Sequence, residues 1–171
     1  MKKSQKYLDF GRGFYTTPDE FRARKWAKRK TEKYNRRNNK IELPSVVILY
    51  VDESKIFGLN YKYFKWRRDD WMKFIISNRI GESLSEKEKL FDNNLKNQYD
   101  LVYGSIADGI ISDKAYRMRM GEIKLSEIAV NDLLPENGSA YGMQMSIHTQ
   151  TTLKIIEKME YVRCEDGKEW S

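Results

Sequence analysis

The sequence predicts one α+β domain that extends over residues 1–171. Apolar runs typical of strands alternate with stretches of helical periodicity, but without the regular strand–helix–strand rhythm of a parallel α/β sheet. No apolar run approaches the roughly 20 residues that span a bilayer, and the lysines after Met1 precede no apolar segment of a secretion signal. A single cysteine, Cys164, excludes an internal disulfide framework and suits a reducing cytoplasm. We therefore expect a cytoplasmic protein with no membrane association.

The first helix is predicted from Pro18 to about Tyr34. Thr17 and Glu20 have the spacing of a capping box, and proline suits the first helical position. An apolar stripe on neighbouring turns is predicted to pack inward and contains Ala23, Trp26, Ala27, Lys30 and Tyr34.

Basic charge is concentrated at the N-terminal end of the chain. Residues 1–40 hold 14 Lys and Arg against 4 Asp and Glu, whereas the remaining residues hold 18 against 21. Such a segment attracts the phosphates of NAD or of nucleic acid, or an acidic partner protein. The alternative is a solvated helix face with no partner.

Later segments complete the predicted sheet and helices. The continuous apolar run at residues 46–51 predicts a central strand that is buried on both faces, and residues 55–59 are predicted to continue the sheet. A helix is predicted to begin at Asp69 or Asp70. The other predicted elements are a strand at 100–106, helices at 111–121 and 126–134, a strand at 140–149, a helix from 149 or 150 to about 158, and a strand at 159–163.

Residues for metal or hydrolytic chemistry are scarce. Cys164 and His148 are the single cysteine and histidine of the chain and lie apart in sequence. Metal ligation usually draws on several such side chains, so we expect no metal site. No Gly-x-Ser-x-Gly elbow is present, so a serine hydrolase is not supported.

Residues 10–15 and Trp26 resemble the nicotinamide pocket of ADP-ribosyltransferases. In the poly(ADP-ribose) polymerases, Phe-Gly-Lys-Gly-Ile-Tyr is followed, after ten intervening residues, by a second aromatic residue, and Phe-Gly-Arg-Gly-Phe-Tyr and Trp26 have this arrangement here. The resemblance implies that NAD is bound as a substrate, with Tyr15 and Trp26 on either side of the nicotinamide ring. The NAD-binding residues it implies are Gly11, Arg12, Gly13, Phe14, Tyr15 and Trp26.

A bacterial family of domains of unknown function, usually classed with the ADP-ribosyltransferases, is a closer match over most of the chain. It is built around Asp-Phe-Gly-x-Gly-Phe-Tyr-x-Thr, which residues 9–17 reproduce. Three later segments, at residues 71–79, 99–108 and 144–153, are similar to further motifs of that family in the same order. Four motifs in family order are far more specific than a lone Gly-x-Gly.

The family resemblance implies an ADP-ribosyltransferase-like split antiparallel β core with flanking helices. The first strand, which carries Tyr-His-Gly-Ser in related domains, is expected to be missing, either through truncation before Met1 or through its loss in this member. Gln144 falls on the position of the glutamate that contacts the ribose hydroxyl in the polymerases. Gln144 and Tyr15 are the catalytic residues that the resemblance implies. An uncharged amide orients the ribose without stabilising a developing cation, which argues against polymer formation and leaves mono-transfer, cleavage of NAD or loss of activity open.

The function implied is mono-ADP-ribosyl transfer from NAD to a protein or nucleic-acid target, as a toxin of a toxin–antitoxin or phage-defence system with a small antitoxin protein as partner. The alternative is a catalytically inactive module of the same fold whose basic N-terminal helix contacts nucleic acid or an acidic partner. Arg12 pairs either with an NAD phosphate or with Asp9. His148 shares the strand face of Gln144 and lies either in the pocket or at the surface.

Overall fold

The computed structural model describes residues 7–81, 91–107, 109–124 and 142–164. The helices are α1 (Glu20–Asn38), α2 (Asp69–Ile80) and α3 (Gly109–Arg119). The strands are β1 (Phe14–Thr16), β2 (Ser45–Val51), β3 (Tyr61–Tyr63), β4 (Leu101–Ser105), β5 (Met143–Ile147) and β6 (Ile156–Arg163). Helices and two sheets together confirm the predicted α+β class. The helix predicted at residues 126–134, the start of the strand predicted at 140–149, and residue 108 lie outside the described residues.

The strands form a four-stranded sheet in the order β1-β5-β4-β3 and a two-stranded sheet of β2 and β6. Neighbouring strands are antiparallel, except that β3 and β4 are parallel, whereas a wholly antiparallel core was expected. In the pairing of β1 with β5, Tyr15 lies opposite Ser146. The glycine-containing segment therefore lies beside the strand that carries Gln144.

The apolar run at residues 46–51 is a strand, but the prediction that it is central in a sheet is wrong. β2 pairs with β6 alone in the described part of the chain, and its Val47 and Tyr50 are half-exposed. The neighbours of a strand come from distant parts of the sequence. A short apolar run therefore does not distinguish a central strand from one in a two-stranded sheet.

Two other segments differ from their predicted structure. Glu53–Gly58 forms a 3₁₀ helix where a strand was predicted. The side chain of Asp52 accepts a hydrogen bond from the Ser54 amide at 3.0 Å, which favours a tight turn at this point. The helix predicted from residue 149 or 150 to 158 is a 3₁₀ helix, Gln150–Ile155, after which β6 begins at once.

The main hydrophobic core lies between α2 and one face of the four-stranded sheet. Helix α2 begins at Asp69, as predicted, and buries most of its residues, including Trp71 and Phe74. Phe10, which precedes β1, is fully buried, and its ring centroid lies 6.2 Å from those of both Phe64 and Phe74. A helix that is apolar around most of its circumference is expected to be buried in this way. The core thus fixes the N-terminal segment against the sheet.

Helix α1 begins at Glu20 and not at the predicted capping box. Asp19 is the N-cap, because its carboxylate accepts a hydrogen bond from the Arg22 amide at 2.9 Å. Thr17 instead donates its hydroxyl hydrogen to the Met143 carbonyl at 3.0 Å. The threonine therefore connects β1 to β5, and the aspartate two residues later takes over the cap.

The predicted inward stripe of α1 is wrong for three of its five members. Within α1 no residue is fully buried, and the half-buried line that faces β2 consists of Ala23, Ala27, Thr31 and Asn35. Trp26, Lys30 and Tyr34 are exposed. Small side chains at every fourth position allow the helix to approach the strand closely, which leaves the large rings on the outer sides. In the described part of the chain, no helix has the length and apolar character required to cross a membrane.

Candidate functional site

Asp9 is the point at which all four motif segments meet. Its Oδ1 accepts a hydrogen bond from Arg79 Nε at 2.7 Å, and its Oδ2 accepts from the Ala107 amide at 3.2 Å and from Gln144 Nε2 at 2.7 Å. The carboxylate is buried, with 7% of the residue exposed. Asp9 therefore pairs with Arg79, and the pairing considered for the exposed Arg12 is wrong.

Asp9 fixes the orientation of the Gln144 amide. An ionised carboxylate only accepts hydrogen bonds, so the NH₂ group of Gln144 must face it. The other end of the amide, Oε1, accepts no hydrogen bond from the residues that the structure describes. Gln144 therefore presents a preoriented acceptor for a hydroxyl group, at a side chain that is otherwise buried.

Tyr15 uses its hydroxyl group within the protein. The oxygen accepts a hydrogen bond from the Phe10 amide and donates one to the Gly11 carbonyl, each at 2.8 Å. The ring stacks on Phe10 with 6.3 Å between centroids. Burial raises the pKa of Tyr15 well above its ordinary value, so the phenol stays neutral. The cross-strand partner of Tyr15, Ser146, is two residues from Gln144, so the predicted catalytic pair shares one face of the sheet.

Gly11 and Gly13 are required by the packing of the protein itself. Gly11 has a φ of +88°, and a Cβ there would lie 2.8 Å from the Asn94 carbonyl oxygen. A Cβ at Gly13 would lie 2.7 Å from both the Ile147 carbonyl oxygen and His148 Nδ1. The glycines therefore hold the turn against β5 and the Asn94 loop, and their contact with NAD stays a prediction.

His148 extends the same face of β5 toward the glycine turn. Its Nδ1 lies 2.9 Å from the Arg12 carbonyl oxygen, so Nδ1 carries the proton, and Nε2 lies 2.7 Å from Ser146 Oγ. Burial lowers the pKa of His148, and the hydrogen bond to Arg12 opposes that shift. The imidazole is half-buried and neutral, and it positions the backbone of Arg12.

Trp26 and Phe14 point away from this network. Trp26 is 55% exposed, with Lys30 Nζ and Arg29 Cζ at 4.6 and 5.1 Å from its ring centroid. Phe14 is also exposed. Among the described residues no direct ring contact joins Trp26 to Tyr15. A nicotinamide ring held between the two remains a prediction.

A cavity of about 650 Å³ lies on the opposite face of the four-stranded sheet, between it and the two-stranded sheet. A cross-strand row of Thr16, Met145, Tyr103 and Tyr63 contributes to its lining. Its volume falls within the range of about 300–1,000 Å³ usual for small-molecule sites. Because alternate residues of a strand face opposite sides, Tyr15 and Gln144 do not line this cavity.

Two features of the site escaped the sequence prediction. The cavity walls come from several separate elements, and no local motif marks them. Arg79, in contrast, belongs to the matched Asn-Arg motif at residues 78–79, which was a sufficient signal for a partner of the first motif.

The chain belongs to the DUF3990 family. The family model, described as a protein of unknown function (DUF3990), matches residues 1–158. That description assigns no activity. No curated protein and no solved structure shows significant similarity to the chain.

Proposed function

We propose that this chain is a mono-ADP-ribosyltransferase that uses NAD as the donor and acts in the cytoplasm on a protein or nucleic-acid target. The observation that carries the proposal is the convergence of the four motif segments on Asp9, which holds Gln144 beside the Tyr15 strand. In the resembled enzymes, the stacking tyrosine and the ribose-binding residue lie in one pocket; here Tyr15 and Gln144 share one face of the sheet. A toxin role with a small antitoxin partner rests on the family resemblance alone.

Gln144 supplies the hydrogen-bond acceptor that the reaction needs. In ADP-ribosyl transfer the bond between the nicotinamide nitrogen and ribose C1′ breaks, and its electron pair leaves with nicotinamide. The acceptor nucleophile then bonds to C1′ and releases its proton. In this proposal Gln144 Oε1, which faces away from Asp9, accepts a hydrogen bond from a ribose hydroxyl. Because the amide is uncharged, it supports one transfer and not the building of a polymer.

Tyr15 contributes its ring and the geometry of the turn. Its hydroxyl is engaged by the backbone of Phe10 and Gly11, so it is not a proton donor or acceptor for the substrate. The Tyr15 ring is then one side of the proposed nicotinamide site. The resemblance implies Trp26 as the other side, although that ring is exposed and has no ring contact with Tyr15 among the described residues. Aromatic pairs of this kind contribute about 0.5–1.5 kcal/mol beyond the burial of area.

Release of nicotinamide from NAD tests this proposal. The wild-type chain should release nicotinamide, and Gln144→Ala should lower kcat by about tenfold with little change in KM, because a hydrogen bond that tightens in the transition state affects kcat. Tyr15→Ala should raise KM as well. The matched control is Gln150→Ala, since Gln150 is an exposed glutamine outside the Asp9 network. Wild-type turnover in Gln144→Ala would remove that residue from the site.

A catalytically inactive binding module is the second candidate. It is favoured by one observation: the Tyr15 hydroxyl and the Gln144 amide nitrogen are both engaged in bonds within the protein. In that case the Asp9 network is purely structural, and the exposed α1 carries the function. Absence of nicotinamide release, together with absence of NAD binding at millimolar concentration, would favour this candidate over the enzyme.

A further inference from the structure

The solvent side of α1 carries a straight row of cations, called here the basic ridge. Its members follow one another at intervals of three or four residues and are all exposed: Arg22, Lys25, Arg29, Lys33 and Arg36. Side chains at this spacing are neighbours on one helix face, about 5–6 Å apart at Cβ. At 1.5 Å per residue the ridge is about 21 Å long. The opposite face of the helix, with Ala23 and Ala27, lies against β2.

Most of this charge has no acidic partner in the part of the chain that the structure describes. Helix α1 holds nine Lys and Arg against two Glu, a net charge of +7 that equals the net charge of the whole chain. Over the described residues, ion pairs with carboxylates engage Arg22 with Asp19 and Arg24 with Glu20, but no other cation of α1. Like charges one turn apart weaken a helix. The ridge therefore opposes the stability of α1 and is complementary to an external row of negative charges.

Exposed aromatic rings lie on both sides of the ridge. Phe21 is 63% exposed, with Lys25 Nζ at 6.0 Å from its ring centroid. Trp26 is 55% exposed, and Arg29 Cζ lies at 5.1 Å from its ring centroid. Cations that follow a phosphate backbone, combined with rings on which bases stack, are the elements of single-strand recognition. An acidic protein offers no regular series of ring faces, and a duplex keeps its base faces stacked inside.

We infer that α1 is a binding surface for single-stranded nucleic acid. The phosphates lie along the basic ridge, and a base stacks on Trp26. The inference shares Trp26 with the NAD proposal but does not depend on it, because the basic ridge lies outside the Asp9 network and its binding is measured without NAD. RNA and DNA share this chemistry and are separate arms of the test.

Binding of fluorescent 16-nucleotide RNA and DNA of mixed sequence, measured by polarisation across a salt series, tests the ridge. The triple variant Lys25→Gln, Arg29→Gln and Lys33→Gln should reduce the slope of log K against log salt by about 2, at about 0.7 per phosphate contact. The matched control changes the same charge elsewhere, as Lys96→Gln, Lys114→Gln and Lys154→Gln, and should keep the wild-type slope. Circular dichroism checks that both triple variants remain folded.

The aromatic part of the inference has its own matched pair. Trp26→Leu should weaken binding at least about fivefold, whereas Trp66→Leu should leave it unchanged, although Trp66 is equally exposed, at 58%, and also has a lysine over its ring. Failure of the wild type to bind at low salt, or equal losses in the two triple variants, would overturn the ridge assignment. The assignment to single strands would be overturned by any of three results. The chain could bind a duplex with the same affinity as a single strand, polyglutamate could displace the labelled strand as well as an unlabelled strand does, or the two tryptophan variants could lose the same affinity.

Discussion

Replacement of Asp9 by asparagine should destabilise the fold severely. The substitution keeps the shape of the side chain but removes its charge, and Arg79, whose side chain is only 18% exposed, loses its carboxylate partner. The asparagine NH₂ group would also meet either Arg79 or the donors from Ala107 and Gln144, so one set of hydrogen bonds is lost in each orientation. Removal of one partner from a buried ion pair costs about 3–5 kcal/mol. We expect the free energy of unfolding to fall by that amount.

Urea unfolding followed by circular dichroism measures this loss. The matched control is Asp69→Asn, which breaks an ion pair with Lys73 at the surface, where the two side chains are 57% and 36% exposed. An exposed pair of this kind contributes less than about 1 kcal/mol. In the double variant Asp9→Asn with Arg79→Met, the unpaired cation is gone, so the loss should be smaller than the sum of the single losses. A loss below about 1 kcal/mol in Asp9→Asn, or one equal to that in Asp69→Asn, would refute the role given to Asp9.

Three further changes probe the surroundings of Asp9. Gln144→Glu places a second carboxylate beside Asp9, where the Gln144 amide donates its hydrogen bond at 2.7 Å. The free energy of unfolding at pH 7 should fall by about 2 kcal/mol and should recover in part at pH 5, because one of the two carboxyl groups is then protonated. An unchanged free energy of unfolding at pH 7 would contradict this prediction. The pKa of His148 is lowered in the folded state. The contribution of His148 to the free energy of unfolding is therefore complete above the unfolded pKa of about 6.5 and is lost as pH falls toward the folded pKa. Between pH 7 and 5.5 the wild type should lose more stability in urea titrations than His148→Gln, and parallel curves would contradict this prediction. Gly13→Ala should lower the free energy of unfolding, measured by thermal unfolding, by about 1–3 kcal/mol, because the new Cβ would lie 2.7 Å from the Ile147 carbonyl oxygen. The control is Gly58→Ala, whose Cβ would have no atom within 4 Å and which should differ little from the wild type.

The local sequence pattern was sufficient to predict an element that is buried over most of its surface. Helix α2 is buried over most of its surface, so its apolar residues and the start at Asp69 predicted it correctly. β2 was recognised as a strand, but its placement depends on β6, which follows more than a hundred residues later. Sequence pattern carries no information about such a distant partner. The central position predicted for β2 therefore failed.

Helix α1 shows a second limit of pattern. Ala23 and Ala27 belong both to a stripe with Trp26 and Tyr34 and to a stripe with small polar residues, and hydrophobicity favours the wrong one. The helix packs through its small side chains, because these allow close approach to β2. Periodicity alone therefore assigned Trp26 to the interior, although the residue is exposed.

The sequence predicted which segments form the candidate site, but not the hydrogen bonds between them. The motifs named the segments that meet, yet the hydrogen bonds of Asp9 with Arg79 and Gln144 span 70 and 135 positions of sequence. The hydroxyl of Tyr15 could equally have faced a ligand. Only the fold reveals that it closes the turn at Phe10 and Gly11.

An NMR titration of the isotope-labelled chain with NAD examines the proposed site in one measurement, because backbone amide shifts report binding even when it is weak. We predict saturable shifts at residues 11–16 and around Gln144, because these segments carry the proposed contacts with the nicotinamide ring and the ribose. The same shifts should be reduced in Tyr15→Ala. No shifts at millimolar NAD, or shifts confined to residues that line the cavity between the two sheets, would contradict an NAD site built on Asp9, Tyr15 and Gln144.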